Sequence, residues 1–257
     1  MLNSKTVHFL GVRVDNYRLR EALARVKFFI DSKQPERSSR KVYFTNVHTI
    51  HLARRDPQFF CTIHNADLVL PDGSGIDLAG RILKRPVKEN LNGTDFMPVV
   101  LRMAERYGYT VYLLGARPEV LERCVERIQN DFSDLKLIGY QHGYYHQQEE
   151  GRILEKINRV RPDILLVATG SPRQEKWIAS VSDHLEAGVC FAVGGLFDFL
   201  SGEFSRAPYW MRKAGLEWVH RFVKNPREKW NRIVIEIPLF IWLTMMNRLF
   251  HSSFHQS

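Results

Sequence analysis

Short apolar runs recur along this chain, each closed by a polar or glycine-bearing turn and followed by a segment of helical character. Asp163–Ala168 (DILLVA) stops at Thr169-Gly170, and Tyr109–Leu114 (YTVYLL) stops at Gly115. Val189–Val193 runs into Gly194-Gly195, Ala66–Leu70 into Pro71-Asp72-Gly73, and Val42–Val47 (VYFTNV) carries Thr45-Asn46 near its end. Leu135–Tyr140 is a further strand of this kind. Continuous apolar runs of about four to eight residues suit strands buried on both faces. Helices are expected over His48–Asp56, Ile76–Leu83, Phe96–Tyr107 with Thr94-Asp95 as N-cap, Pro118–Phe132, Gly151–Val160, and onward from Pro172. In Pro118–Phe132, Leu121, Val125, Ile128 and Phe132 share one face. Strands alternating with helices predict an α/β fold, a parallel sheet flanked by helices. Such sheets take ligands at the carboxyl ends of their strands.

With 257 residues the chain has room for one large or two small lobes. An α/β catalytic domain over residues 1–205, with a lobe boundary near Gly108 left open, is followed by a distinct segment over residues 206–257. From Arg206 to Arg232 that segment holds eight Lys or Arg and two acids, Glu217 and Glu228, interleaved with Tyr209, Trp210, Trp218, Phe222 and Trp230. Much of the net charge of +9 sits here, so the basicity is local and calls for an anionic partner. An apolar run follows, but Glu236 and Pro238 interrupt it, so it suits a membrane interface better than a membrane span. The three cysteines are widely spaced and the histidines are scattered, which predicts a reduced protein without a structural metal.

Several strand ends carry candidate chemistry. Gly170 permits a tight turn, Ser171-Pro172 opens the next helix, and Gln174 is expected to point into the same crevice. Gly115-Ala116-Arg117-Pro118 is a second such loop, and nothing after Gly115 completes a dinucleotide fingerprint, which disfavours a nucleotide-dependent oxidoreductase. Gly194-Gly195 allows close backbone approach, with Asp198 available to a sugar hydroxyl. Asp72, at a strand end, is placed for general-base work, although spacing alone favours a turn aspartate bonding its own backbone.

Taken in order, these stretches resemble one family. They are Thr45-Asn46, ADLVLPDGSGI, NGTDFM, YLLGARPE, GYQHGYY, DILLVATGSPRQEKW, VGGLFDFLSGEFSRAPYWMRKAGLEWVHRF and NPREKW. Together, from about Val7 to Phe240, they look like the WecG/TagA/CpsF glycosyltransferases, glycosyltransferase family twenty-six. The resemblance implies a compact transferase fold with a basic, helical, membrane-associating C-terminal appendage. It also implies an inverting enzyme that moves a sugar from a UDP-sugar to a polyprenyl-pyrophosphate-linked acceptor sugar in cell-surface polysaccharide or teichoic acid synthesis. Carried over residue by residue, Asp72 is the base, with Thr45 and Gln174 beside it as catalytic residues. Donor binding is expected at Asn46, Gly115, Gly170, Ser171, Pro172, Gly194, Gly195 and Asp198, and the acceptor diphosphate at Arg206, Arg212, Arg221 and Arg227. No cofactor is expected beyond the UDP-sugar substrate, because no Asp-x-Asp pair stands at a strand end to hold a metal. The expected place is the inner face of the plasma membrane, peripherally bound from the cytoplasm, with a homo-oligomer left open. Asn92, preceded by Glu89-Asn90-Leu91, makes the loop before Gly93 more polar than is usual in the family, so hexose and uronic-acid donors stand beside the amino sugars. The rival from another class is a basic nucleic-acid-binding α/β protein, which would use the same cations and aromatics without transferring anything.

Overall fold

The structure, a computed structural model, describes residues 6–32, 38–204, 207, 208, 210, 211, 219, 222, 223 and 230–253. Six strands form one parallel sheet: β3 (Arg40–Thr45), β4 (Leu68–Pro71), β5 (Thr110–Gly115), β6 (Lys136–Gln141), β7 (Ile164–Ala168) and β8 (Val189–Ala192), in the order β4-β3-β8-β7-β5-β6. Every pairing in it is parallel. The strands lie within two residues of their sequence-predicted positions.

Alternation along each strand divides the core in two. Val42, Phe44, Leu113, Leu166 and Phe191 face one way. They pack under α1 (Leu19–Asp31), α5 (Gly93–Tyr107), α6 (Pro118–Asp131) and the short α9 (Leu196–Leu200). Tyr43, Val69, Leu114, Val167 and Cys190 face the other way. Over them lie α2 (Val47–Arg55), α3 (Pro57–His64), α4 (Ser74–Ile82), α7 (Glu150–Val160) and α8 (Arg173–Val181), joined by the C-terminal α10 (Ile237–Ser253) through Phe240. Burial on both faces is why these strands read as unbroken apolar runs rather than as alternating patterns. Gly108, where the sequence left a lobe boundary open, is the left-handed cap of α5 (φ 71°). The sheet is continuous across it, because β3 pairs with β8.

Helices α1 and α3 have no counterpart in the sequence reading, and two further features depart from it. Helix α5 begins at Gly93 rather than Phe96, and its N-cap is Asn92, not Thr94-Asp95. Asn92 Oδ1 accepts the Asp95 amide at 2.9 Å and the Thr94 hydroxyl at 2.7 Å, so the supposed cap residues are themselves capped. A two-stranded antiparallel hairpin, β1 (Thr6–Phe9) and β2 (Val12–Asp15), precedes the sheet and turns at Leu10-Gly11, both at positive φ. It docks beside edge strand β4. Asp15 Oδ2 accepts the Val69 amide at 2.8 Å, and Arg13 donates to the Ala66 carbonyl at 2.9 Å. Burial pushes the Asp15 carboxyl above the usual range, against the pull of the Val69 amide and Arg13.

At the carboxyl edge, the ends of β5 and β7 and the loop after β6 are pinched together. The Ala116 amide donates to the Ala168 carbonyl at 3.0 Å, and Gly143 donates to the Ala116 carbonyl at 2.9 Å. A Cβ on Gly115 would stand 2.4 Å from that Ala168 oxygen, and Gly115 sits at φ 138°. Gly115→Ala should therefore lower the urea-unfolding free energy by about 3 kcal/mol, since strain and overpacking combine. Gly151→Ala, where a Cβ meets nothing within 4 Å on a helix, should leave it unchanged or raise it by up to about 1 kcal/mol in the same assay.

Candidate active site

The pinch forms the floor of a crevice of about 610 Å3 at the carboxyl edge of the sheet. Its walls come from four strand ends: Ala116 and Arg117 after β5, Gly143–His146 after β6, Thr169, Gly170 and Arg173 after β7, and Gly194, Gly195 and Asp198 after β8. Ala116, Gly170 and Gly194 all take positive φ, so the backbone reverses sharply at three of the four walls. A Cβ on Gly170 or Gly194 would meet nothing within 4 Å, so the demand for glycine there is conformational. Arg117 and Arg173 bring two cations to the crevice, facing Asp198. The Arg173 guanidinium lies over the Tyr145 ring, 5.7 Å from its centre. Burial, then Glu150, pushes the Tyr145 phenol up, and Arg173 opposes both. At the mouth, Arg117 pairs at 3.3 Å with Glu203, which also pairs with Arg123.

Of the expected donor-binding residues, Gly170, Gly194, Gly195 and Asp198 line the crevice, while Gly115, Ser171 and Pro172 are outside its lining, as is Gln174, expected to be catalytic. Gln174 is only 2% exposed, and both ends of its amide are engaged. Its Oε1 accepts the Gly194 amide at 3.0 Å, and its Nε2 donates to Glu175 Oε1 at 2.9 Å and to Ser171 Oγ at 3.4 Å. The sequence reading aimed Gln174 into the crevice; the structure sets it between the β7–α8 and β8–α9 loops, joining them. The Ser171–Pro172 peptide bond is cis. The Ser171 hydroxyl donates to Glu175 Oε1 at 2.6 Å. Glu175 is 1% exposed and its second oxygen has no partner. Loss of solvent drives its carboxyl upward, against the hydrogen bonds from Ser171 and Gln174.

Two crevice elements were missed from sequence. The Gly143–His146 loop follows β6 as Gly115 follows β5, and Gly143 was the available signal, since a Cβ there would lie 3.0 Å from the Gly115 Cα. Arg173 lay inside the quoted motif, but nothing local showed which way it faced.

Thr45, Asn46 and Asp72 gather at the ends of β3 and β4, further along the same edge. β3 lies beside β8, so Asp72 on the next strand is on the order of 10 Å from the Gly194 wall. The Asp72 amide donates to the Thr45 carbonyl at 2.9 Å. Its carboxylate accepts from Asn46 Nδ2 at 3.0 Å, so the recorded partner is a side chain 26 positions away rather than the turn's own backbone. Asn46 Oδ1 meanwhile caps α2 through the Thr49 amide at 3.1 Å. Asn46, expected at the donor, is a clamp on Asp72. From the other side Asn90 Oδ1 accepts the Gly73 amide at 2.9 Å, with Gly73 at φ 96°. Thr45 is fully buried, and its hydroxyl has no hydrogen-bond partner.

Arg206, Arg212, Arg221 and Arg227 lie outside the described residues. Beyond them, a π-helical turn (Arg232–Glu236) leads into α10, which packs on α2 and α4. His48 Nδ1 donates to both oxygens of Glu236, at 2.8 and 3.1 Å. The outer side of this segment exposes Val234, Ile235, Leu239, Trp242, Met245 and Leu249. Among the described residues, no helix is long and apolar enough to cross a membrane. Among them too, no group of three or more His, Cys, Asp or Glu residues is placed to hold a metal ion.

Fold and crevice together define an α/β protein of transferase type, with its crevice at the carboxyl edge of a parallel sheet. Residues 7–253 match the family described as the glycosyl transferase WecG/TagA/CpsF family, and the chain belongs to that family. It is a glycosyltransferase. A protein of Bacillus subtilis (strain 168) is 31% identical over 195 residues, covering 76% of this chain and 75% of the relative. One from Bacillus spizizenii (strain ATCC 23059 / NRRL B-14472 / W23) is 31% identical over 189 residues, covering 74% and 72%. One from Staphylococcus aureus (strain MW2) is 28% identical over 242 residues, covering 93% and 92%. All three are named N-acetylglucosaminyldiphosphoundecaprenol N-acetyl-beta-D-mannosaminyltransferase.

The buried Glu175 makes stability depend on pH. Its carboxyl is held above its unfolded value of 4.5, so the folded chain keeps a proton that the unfolded chain releases. That contribution is fully present below the unfolded value and is lost as pH rises through the folded one. Glu175→Gln keeps an acceptor for Ser171 and Gln174 and carries no charge. Its melting temperature should match that of the unsubstituted protein near about pH 4 and exceed it increasingly toward about pH 8.

Proposed function

We propose that the chain transfers a sugar from a UDP-sugar to a polyprenyl-diphosphate-linked acceptor sugar, in one displacement that inverts the anomeric centre. The observation that carries this reading is the placement of Asp72. It is a carboxylate held by an amide, on the same sheet edge as a crevice with two arginines. The donor diphosphate lies against Arg117 and Arg173, where its growing negative charge is met as the bond to the sugar breaks. Asp198 takes hydroxyls of the donor. Asn46 fixes one oxygen of Asp72, and the other receives the proton of the acceptor hydroxyl as that oxygen bonds to the anomeric carbon. UDP leaves with the electron pair, and no second carboxylate nucleophile is used. Thr45, fully buried, acts only through the Asp72 amide that its carbonyl accepts, and Gln174 orients a reacting sugar through the Gly194 loop it holds. Leaving-group charge is routed through the arginines rather than a divalent metal, because the sequence has no Asp-x-Asp pair at a strand end.

The relatives' names supply the acceptor class, a sugar carried on undecaprenyl diphosphate, and favour an N-acetylhexosamine donor. Arg206, Arg212, Arg221 and Arg227 hold the acceptor diphosphate in this reading. The exposed face of α10 rests in the lipid interface on the cytoplasmic side, beneath a basic rim. The sugar transferred joins a cell-surface polysaccharide or teichoic acid.

A melting-temperature screen of UDP-sugars, followed by transfer to a short-chain lipid-diphosphate acceptor, identifies the donor. Asp72→Asn should reduce turnover by roughly a thousandfold or more and leave the Kd for UDP within about threefold. Near-normal turnover by this variant removes Asp72 from the role of base. The chain should sediment with anionic vesicles in a salt-sensitive way, and replacing Trp242 and Leu249 by serine should weaken that several-fold. Binding to RNA at matched salt, with none to vesicles, would point to the nucleic-acid alternative.

A further inference from the structure

Glu236 reaches across from the π-helical turn to His48, near the start of α2. Its side chain is 11% exposed, so the pair is largely withdrawn from solvent on that side. His48 is the second residue of α2, and Asn46, the cap of the same helix, holds the Asp72 carboxylate. One rigid helical turn thus carries the contact to the C-terminal segment at one point and the grip on Asp72 at another. Apolar contacts also join α10 to the domain. Phe240 enters the core under α2 and α4, Ile237 packs against it, and buried Thr244 turns its hydroxyl back onto the Phe240 carbonyl at 2.7 Å. Contacts of that kind hold a helix against a surface without fixing where along its axis it stops. A directional hydrogen bond at the rim of such a contact does fix it.

We infer that the His48–Glu236 pair sets the register of the C-terminal helix against the strand-end site, which makes Glu236 a positioning residue for transfer. It acts through His48 and the first turn of α2 on Asn46 and Asp72, and touches no substrate. Its influence on activity rests on Asp72 being the base; its influence on the seating of α10 does not. Neither residue lines the crevice, so the pair bears on the acceptor half of the reaction through Asp72, while His48 also lies within electrostatic reach of Glu175 behind the crevice loops.

The test is a charge swap in the full chain. H48E sets two carboxylates against each other, E236R removes the acceptor, and H48E/E236R restores an opposite-charge pair in reversed order. Each single variant should speed amide hydrogen exchange across Ile237–Ser253 and lower the acceptor kcat/KM, both by about tenfold, and E236R, which keeps His48 beside Glu175, should hold the Kd for UDP within about twofold. The double variant should recover most of both losses. Glu236→Gln, which keeps the shape and removes the charge, should fall between the unsubstituted protein and E236R. The inference is overturned if the singles exchange like the unsubstituted protein, if exchange rises without loss of acceptor kcat/KM, or if the double variant is no better than the worse single. If the unsubstituted protein transfers from no UDP-sugar, the functional reading fails, while hydrogen exchange in the four variants still decides the latch.

Discussion

Two of the loops that wall the crevice come from the adjacent strands β7 and β8, and a single amide ties them together. Gln174 accepts the Gly194 amide with its oxygen and gives its nitrogen to Glu175 and Ser171. An amide can sit in two orientations that differ only by exchange of oxygen and nitrogen. Here the choice is forced, because Glu175 Oε1 accepts and the Gly194 amide donates. Burying an acid to force it is costly, and loss of solvent drives the Glu175 carboxyl upward as a result. Without this tie, β7 and β8 would still pair, but the turns beyond them would be free to splay. The positive φ at Gly170 and Gly194 would then have nothing to hold it.

Electrostatic labour is divided along the sheet edge. The crevice carries guanidinium groups, suited to an anionic leaving group. The stretch around Asp72 is held by carboxamides: Asn46 on the carboxylate and Asn90 on the neighbouring Gly73 amide. An amide fixes the direction of a carboxylate without bringing a full positive charge to it, whereas an arginine in the same place would bind one oxygen pair and compete with an incoming hydroxyl. The order of the strands produces this separation, with β8 and its glycine turn standing between the two chemistries.

The sheet was legible because its strands are buried on both faces, which writes them as unbroken apolar runs such as Ile164–Ala168. Glycines at strand ends marked Gly170 and Gly194 correctly as walls of the crevice. What sequence could not carry was the pairing of polar side chains across long separations. Asn46 read as a donor ligand because Asp72 is 26 positions away, and His48 read as an unremarkable histidine because Glu236 is 188 positions away. Gln174 read as pointing outward because the Gly194 amide that captures it belongs to the next strand. The N-terminal hairpin escaped for a different reason: its strands are only four residues each, and Leu10-Gly11 lacks the asparagine or aspartate that usually announces such a turn.

That hairpin has a consequence of its own. Strand β4 is the last strand on its side of the sheet, and its outer rim is the kind of surface on which another extended chain can add itself. Asp15 and Arg13 occupy that rim, taking the Val69 amide and the Ala66 carbonyl that an intruding strand would need. A carboxylate in that position also disfavours a neighbour by its charge. The first ten or so described residues thus protect the molecule from edge-to-edge aggregation, a task set by colloidal stability and independent of which sugar the crevice accepts.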